Sequence, residues 1–232
     1  MCLGYILFSV NVMIKAVLFD LDGTLVNSLA DLADSTNYAL SLMGFPPRET
    51  EEYKYLVGDG IPKLIERALP EGEKSEENLR RCLEIFMKRY GEHYCDKTAP
   101  YGGVIPLLAD LKKRGMKLAV ISNKAQEMAD RVVKSLLGGV FDVVAGKREG
   151  YPAKPDPALT LEVIRELSVK PQECVLAGDS GMDMAAAKNA GAVGVGVLWG
   201  FRKKDELEKN GAVYTVSFPA EISDIIGKIN YE

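Results

Sequence analysis

The sequence of 232 residues predicts an α/β fold, in which a Rossmann-like parallel sheet forms the core and a helical domain is inserted after the first strand. Five continuous apolar segments rich in β-branched residues predict strands at 14–19, 117–122, 141–146, 173–178 and 193–199. Continuous apolar strands are typical of parallel sheets, because helices cover both faces of such sheets. Amphipathic segments alternate with these strands, as crossover units require, at 104–115, 125–137, 157–168 and 181–190. A further strand and helix are predicted at 212–216 and 219–229.

Residues 29–97 interrupt this alternation, since they contain helical patterns and no clear strand. Four such patterns occur, near residues 29–43, 49–57, 61–69 and 75–94. A block of this length is too large for a single crossover, so we expect an inserted four-helix cap domain with its return hinge at 95–103. The core domain then comprises residues 1–28 and 98–232.

The composition argues against several classes of protein. Charged residues make up 27% of the chain and the net charge is −4, without the basic stripe that nucleic-acid binding requires. No apolar stretch reaches the roughly 18 residues of a membrane span, so no membrane association is expected. The four cysteines lack metal-ligand spacing and the chain has one histidine. We therefore expect reduced thiols, a cytoplasmic location and no zinc site.

The first twelve residues are apolar, but they lack a basic start and a small-residue cleavage site. A signal peptide is therefore not predicted. An extra strand, a cover over the core and a segment upstream of a start at Met13 all stay open as interpretations.

Polar side chains follow the predicted strands at the points where the strands end. Six of them are placed to meet in one crevice: Asp20 and Asp22 after the first strand, Ser122 at the end of the second, Lys154 in a proline-flanked loop, and Asp179 and Asp183 after the fourth. The carboxyl ends of the strands in an open α/β sheet line the ligand crevice. Buried carboxylates are tolerated where they bind a cation, and a site with only oxygen ligands favours Mg²⁺ together with a substrate phosphate.

Four short motifs carry a resemblance to a known family. In chain order they are "DLDGTLV", "VISNK", "KPDP" and "GDSGMD", and together they resemble the four motifs of the haloacid dehalogenase superfamily, in its phosphatase branch. Parts of the inserted segment, "DLADSTNYALSLMGFPP" and "YLVGDGIPKLIERAL", are similar to the cap of the phosphoglycolate phosphatases, as is the later stretch "GVLWGFRKKDELEKNGA". The likeness extends over about residues 14–220.

The resemblance implies a role for each motif residue. Asp20 would attack phosphorus to form an aspartyl-phosphate, which divides one difficult displacement into two easier ones. Asp22 would protonate the leaving oxygen and then deprotonate the attacking water. Ser122 and Lys154 would hold the phosphoryl oxygens. Three further residues would complete the phosphate site, Gly23 and Thr24 by shaping the turn and Asn123 through its backbone.

The resemblance also implies a metal site and a cap contribution. Mg²⁺ would be bound by Asp20, the Asp22 carbonyl and Asp179, with Asp183 and Ser180 supporting these ligands from behind. In the family the loop that corresponds to "VGDG" reaches over the active site, so Gly58, Gly60 and the nearby Lys63 are candidates for contact with the substrate.

Each of these residues has an alternative interpretation when taken singly. Ser122 could cap a helix, Lys154 could be a surface lysine, and Asp179 and Ser180 could cap the helix that follows them. The four motifs in order favour a catalytic site instead.

We therefore expect magnesium-dependent hydrolysis of a small phosphorylated metabolite, with 2-phosphoglycolate as the leading substrate. A pyrophosphatase, a nucleotidase and a sugar-phosphate phosphomutase are alternatives on the same core. A non-catalytic binding or regulatory protein is the alternative from a different class. The sequence leaves monomer and homodimer equally open.

Overall fold

The structure is a computed structural model that describes residues 13–231, so the predicted extension at 1–12 lies outside the described residues. Eight strands are described: β1 (Ala16–Phe19), β2 (Val26–Asn27), β3 (Ala99–Pro100), β4 (Lys117–Ala125), β5 (Val143–Lys147), β6 (Cys174–Gly178), β7 (Val193–Val197) and β8 (Tyr214–Val216). The ten described α-helices are α1 (Leu29–Leu42), α2 (Tyr53–Leu56), α3 (Ile61–Ala68), α4 (Glu76–His93), α5 (Val104–Lys113), α6 (Gln126–Leu136), α7 (Ala158–Glu166), α8 (Gly181–Ala190), α9 (Lys204–Lys209) and α10 (Ala220–Tyr231).

Six of the strands form one parallel sheet in the order β5-β4-β1-β6-β7-β8. Strand β1 lies at the centre, where Phe19 is paired with Val120 on β4 and with Ala177 on β6. After β1 the chain adds β4 and β5 on one side of it and then crosses to β6 on the other side, which creates a switch point at the carboxyl end of β1. Asp20 follows β1 directly, so the topology places it at this switch point.

Hydrophobic side chains cover both faces of the sheet, as the continuous apolar strands predict. One cluster joins the sheet to α5, α6 and α10, and the other joins it to α7 and α8. Strand β1 is fully buried, and alternate residues contribute to the two clusters: Val17 and Phe19 to one, Ala16 and Leu18 to the other. The predicted α/β fold class is confirmed. No helix described between residues 13 and 231 combines the length and the apolar character needed to cross a membrane.

Helices α1–α4, which we call the cap, share a third hydrophobic cluster that includes the buried rings of Tyr53, Phe86 and Tyr90. Two core residues, Met128 and Phe201, also belong to this cluster, so the cap packs on the core side that carries the strand ends. The exact division of the chain into residues 1–28, 29–97 and 98–232 stays a prediction.

The sequence did not predict the small antiparallel pair β2 and β3, which joins the two connections between core and cap. Asp31, in the first turn of α1, reinforces this junction. Its buried carboxylate accepts hydrogen bonds from the backbone of Lys97 and Thr98 at 2.8–3.0 Å and from the Thr98 hydroxyl at 2.6 Å. The two connections are thereby held side by side.

Replacement of Asp31 by Ala should destabilise the protein by about 3 kcal/mol, because it leaves buried backbone and hydroxyl donors without an acceptor. For a chain of this size we expect Tm to fall by about 6–12 °C in a thermal melt. Asp31→Asn, which keeps one acceptor oxygen, should lie between Asp31→Ala and wild type. The matched control is Asp34→Ala, which removes an exposed ion pair to Lys97 and should leave Tm close to that of wild type. Equal losses for Asp31→Ala and Asp34→Ala would contradict a junction role for Asp31.

Candidate active site

A cavity of about 60 Å³ lies between the strand ends and the cap. Its polar lining consists of Asp20, Asp22, Ser122, Asn123, Lys124, Lys154, Asp179, Ser180, Asp183 and Arg202. The cap contributes apolar side chains and the loop that contains Gly58 and Gly60. The structure therefore brings together in one cavity all of the core residues that the motifs single out, except for Gly23 and Thr24, which support it from behind.

Lys154 neutralises two carboxylates at the floor of the cavity. Its ammonium group donates to Oδ1 of Asp20 at 2.7 Å, to Oδ1 of Asp183 at 2.6 Å and to the Ile121 carbonyl at 2.8 Å. Burial acts to lower the pKa of Lys154, but Asp183 and Asp20 outweigh burial and hold that pKa above its ordinary value. Lys154 thus remains a cation beside the nucleophile candidate.

Asp183 links Lys154 to Ser180 through hydrogen bonds. Its second oxygen, Oδ2, accepts from the Ser180 hydroxyl at 2.6 Å and from the Ser180 backbone at 3.0 Å, which forms a capping box at the start of α8. Both oxygens of Asp183 are therefore engaged, and this fixes the position at which Asp183 holds Lys154.

Two hydrogen bonds, from two different segments of the chain, hold the carboxylate of Asp179. Its Oδ1 accepts from the Thr24 hydroxyl at 3.2 Å, and its Oδ2 accepts from the backbone of Phe201 at 2.7 Å. Gly23 has a φ of +93°, and a Cβ added there would collide with the Asp179 carboxylate. Gly23 is therefore required both by its backbone conformation and by the close approach of Asp179.

Asp20, Asp179 and Asp183 form a buried group of carboxylates with one oxygen of each within 4.8 Å of the others. Burial raises the pKa of Asp179 to about 7, and repulsion from Asp183 adds to this effect. Burial also raises the pKa of Asp20 well above its ordinary value, with Lys154 opposing and Asp183 and Asp179 adding. Three carboxylates against one lysine leave excess negative charge, and an oxygen-only donor set of this kind fits a hard divalent cation.

Asp22 binds a lysine that the sequence motifs had not singled out as functional. Both Asp22 oxygens accept from the ammonium group of Lys124, at 3.0 and 2.8 Å, and the same group donates to the Tyr90 hydroxyl in α4 at 2.9 Å. Burial acts to lower the pKa of Lys124, but Asp22 and Tyr90 raise it above its ordinary value. This buried lysine connects a candidate catalytic carboxylate to the cap.

Ser122 is the last residue of the predicted strand, and Asn123 lies on the extension of β4 beyond that end. The Ser122 hydroxyl is buried and accepts from the backbone of Lys124 at 3.2 Å. The Asn123 side chain bridges two loops, since its amide donates to the Gly58 carbonyl at 2.9 Å and its oxygen accepts from the Lys154 backbone at 2.8 Å. Asn123 therefore positions both the cap loop and the Lys154 loop.

The structure does not bring Lys63 to the cavity. Lys63 is on an exposed part of α3, where its ammonium group pairs with Glu66 at 2.6 Å. The cap loop nearby does reach the cavity through Gly58 and Gly60, which have φ values of +120° and +88°. The cation that lines the cavity beside this loop is instead Arg202 of the core.

Comparison with known proteins identifies the family. Residues 17–197 match the family described as haloacid dehalogenase-like hydrolase. The chain belongs to the haloacid dehalogenase-like hydrolases. A phosphoglycolate phosphatase of Chromobacterium violaceum is 36% identical to it over 217 residues, which cover 92% of this chain and 96% of that relative. A phosphoglycolate phosphatase of Aquifex aeolicus is 32% identical over 209 residues, which cover 90% and 94% of the two chains.

Solved structures of haloacid dehalogenase-like proteins agree with this assignment. A proposed phosphoglycolate phosphatase from Lactobacillus delbrueckii is similar to this chain with a TM-score of 0.87 and 32% identity, and the match covers 92% of this chain and 98% of that one. The predicted superfamily and the predicted enzyme class are confirmed: the protein is a phosphatase of the haloacid dehalogenase superfamily and hydrolyses phosphoric monoesters.

Sequence reasoning missed two cavity residues of this haloacid dehalogenase-like phosphatase, Lys124 and Arg202. Lys124 directly follows the "SN" of the second motif, so its place after the strand end was a usable signal. Arg202 lies three residues after Trp199, in the stretch that resembles phosphoglycolate phosphatases, but nothing in its local pattern separates it from the neighbouring surface lysines. Both became visible only through their tertiary contacts.

The raised pKa of Asp179 predicts a pH effect on stability in excess chelator. Between the ordinary pKa of 3.8 and about 7, the folded chain holds a proton that the unfolded chain releases, so this residue lowers stability as pH rises through that range. Thermal melts from pH 5 to pH 8 should therefore show Asp179→Asn gaining Tm relative to wild type. Each kcal/mol corresponds to about 2–4 °C at this chain length.

Adding Mg²⁺ at pH 8 should reverse the order of the two proteins, because the cation relieves the repulsion in wild type only. The matched control is Asp205→Asn, on the exposed helix α9, which should track wild type at every pH. A Tm difference between Asp179→Asn and wild type that stays constant from pH 5 to pH 8 would contradict the prediction.

Proposed function

We propose that the protein is a Mg²⁺-dependent phosphatase that hydrolyses 2-phosphoglycolate through an aspartyl-phosphate on Asp20. The observation that carries the proposal is the convergence of Asp20, Asp22, Ser122 and Lys154 on one small cavity closed by the cap. Two relatives, which are 32–36% identical to this chain over nearly its whole length, bear the name phosphoglycolate phosphatase.

Asp20 is the proposed nucleophile. Lys154 binds its Oδ1, and none of the hydrogen bonds described for residues 13–231 occupies its Oδ2. One oxygen is therefore fixed while the other is available to attack phosphorus. Lys154 and the Ser122 hydroxyl are proposed to hold the phosphoryl oxygens, where they offset negative charge in a loose transition state.

Asp22 is the proposed general acid and base. Its carboxylate, held by Lys124, can accept a proton from the water that attacks the aspartyl-phosphate. In the first half of the reaction Asp22 must instead donate a proton to the leaving oxygen. A protonated Asp22 would lose most of its attraction to Lys124, so we propose that the two half-reactions differ in this contact.

Asp20, Asp179 and the Asp22 carbonyl are the proposed Mg²⁺ ligands. When bound, Mg²⁺ neutralises charge on the phosphoryl group. Asp183 is proposed to support the site through its contacts with Lys154 and Ser180. Thr24 and the Phe201 backbone fix the orientation of Asp179 toward the metal.

The cap favours a small substrate. The cavity has a volume of about 60 Å³, and the Gly58–Gly60 loop of the cap forms part of its wall. A two-carbon phosphoester is compatible with such a space, whereas a nucleotide base requires the cap to open far more widely.

Asp20→Asn should reduce turnover of p-nitrophenyl phosphate at least about 1,000-fold, because the amide is a far weaker nucleophile. The change keeps the volume of the side chain, so the variant should fold, as circular dichroism can verify. The control is Asp34→Asn, an exposed carboxylate on α1 that should retain wild-type turnover. Phosphate release by folded Asp20→Asn near the wild-type rate would remove the covalent mechanism.

The function itself is tested with a substrate panel measured in Mg²⁺ and again in excess chelator. We expect kcat/KM to be highest for 2-phosphoglycolate, above pyrophosphate, nucleoside monophosphates and sugar phosphates, and activity to vanish in chelator. Full activity without metal would contradict the cofactor proposal. A preference for nucleotides or pyrophosphate would overturn the substrate and leave the phosphatase standing.

A further inference from the structure

Arg202 contributes a guanidinium group to the cavity wall, and part of this group has no partner. One terminal nitrogen, Nη2, donates to the Val57 carbonyl of the cap at 2.9 Å. The other, Nη1, is fully buried and has no hydrogen-bond partner among residues 13–231. The nearest carboxylate, Glu206, lies 3.5 Å from Nε and leaves Nη1 unsatisfied. An unpaired buried donor is costly, so a partner for Nη1 is expected during function.

The other two cations of the cavity are already committed. Lys124 binds Asp22 at 2.8 Å, and Lys154 binds Asp20 at 2.7 Å and Asp183 at 2.6 Å. Arg202 is therefore the cavity cation in the described part of the chain that can take up a second anionic group without breaking an ion pair of the catalytic carboxylates.

Arg202 also lies over the ring of Tyr55 in the cap, with its guanidinium carbon 5.5 Å from the ring centroid. On the cap side the cavity is lined by Leu32, Val57, Ile61 and Leu64, and on the core side by Phe201. These apolar side chains cannot neutralise an anionic group on the part of the substrate beyond its phosphoryl group. A planar guanidinium among apolar side chains is well suited to a carboxylate, which it can bind through two parallel hydrogen bonds.

We infer that Arg202 binds a carboxylate on the leaving group and selects phosphate monoesters of small hydroxy acids. This inference deepens the proposed function and rests on it. Arg202 is a specificity-determining residue in this scheme, because it contacts the alcohol portion of the substrate and not the phosphoryl group. Since Nη2 holds the Val57 carbonyl, the same guanidinium ties the cap loop to the bound acid.

The test compares esters that differ only by a carboxylate and a carbinol. The first pair is 2-phosphoglycolate and 2-hydroxyethyl phosphate, and the second is 3-phosphoglycerate and glycerol 3-phosphate. Wild-type enzyme should favour the acid of at least one pair. Arg202→Met, which keeps apolar volume, should lower kcat/KM for that acid about 100-fold and for its neutral partner less than about 5-fold.

Two further variants exclude a merely structural explanation. Arg202→Lys keeps the charge but loses the planar guanidinium, so its decrease in kcat/KM for the acid should be intermediate. If Arg202→Met does not fold, Arg202→Lys provides the test instead. Lys204→Gln removes an exposed charge two residues away and should retain the wild-type preference. If Arg202→Met lowered kcat/KM equally for the acid and for the neutral ester, Arg202 would only hold the cap loop in place. That result would overturn the inference.

The outcomes separate the inference from the proposed function. A preference for 3-phosphoglycerate over glycerol 3-phosphate that depends on Arg202, without turnover of 2-phosphoglycolate, would support the inference and overturn the proposed substrate. A wild-type enzyme that hydrolyses the acid and the neutral ester equally well in both pairs would overturn the inference and leave phosphatase activity intact. An Arg202-dependent preference for a sugar bisphosphate would identify the second anion as a phosphate and overturn the carboxylate.

Discussion

Charge balance at the carboxyl end of β1 is the constraint on which the rest of the site depends. Asp20, Asp179 and Asp183 are buried within 4.8 Å of one another, and Lys154 supplies the positive charge beside them. Burial of an unbalanced charge is strongly unfavourable, so every neighbouring element has to contribute a donor. The capping box of α8, the Phe201 backbone and the Thr24 hydroxyl all do so. These donors hold carboxylates at a buried position where negative charge is energetically unfavourable. The remaining negative charge favours binding of a cation.

Hydrogen bonds also connect the residues of the site to the cap. Lys124 donates to both Asp22 and Tyr90, Asn123 donates to the Gly58 carbonyl, and Arg202 donates to the Val57 carbonyl. Each contact runs from a residue at or after a strand end to the cap, so the position of the cap and the arrangement of the catalytic groups are physically coupled. A buried lysine shared between a core carboxylate and a cap hydroxyl is fully satisfied only while the cap is seated. The cap is thus joined to the residues around the cavity by hydrogen bonds as well as by hydrophobic packing.

The six strands of the main sheet and every described α-helix except α9 were predicted from the sequence. The six motif residues were expected to lie together because parallel strands end at one edge and the polar residues follow those ends. The contacts of Lys124 and Arg202 could not be predicted, since each depends on where the cap lies relative to the core. Lys63 illustrates the same limit: it is adjacent in sequence to the cap loop, yet in space it pairs with Glu66 on an exposed surface. The β2–β3 pair was missed because two-residue strands carry no periodicity.

The residues around the cavity differ in how the backbone that carries them is held. The groups proposed to handle the phosphoryl group lie on β1, β4 and the loops after the central strands, whose backbones are held by the parallel sheet. The groups proposed to contact the leaving group lie on the Gly58–Gly60 loop and on the segment that carries Arg202, which are held by a few side-chain contacts. Changes in the loops can therefore alter what is bound without disturbing the buried carboxylates. A rigid sheet edge combined with loosely held walls allows one phosphatase core to serve different small phosphoesters.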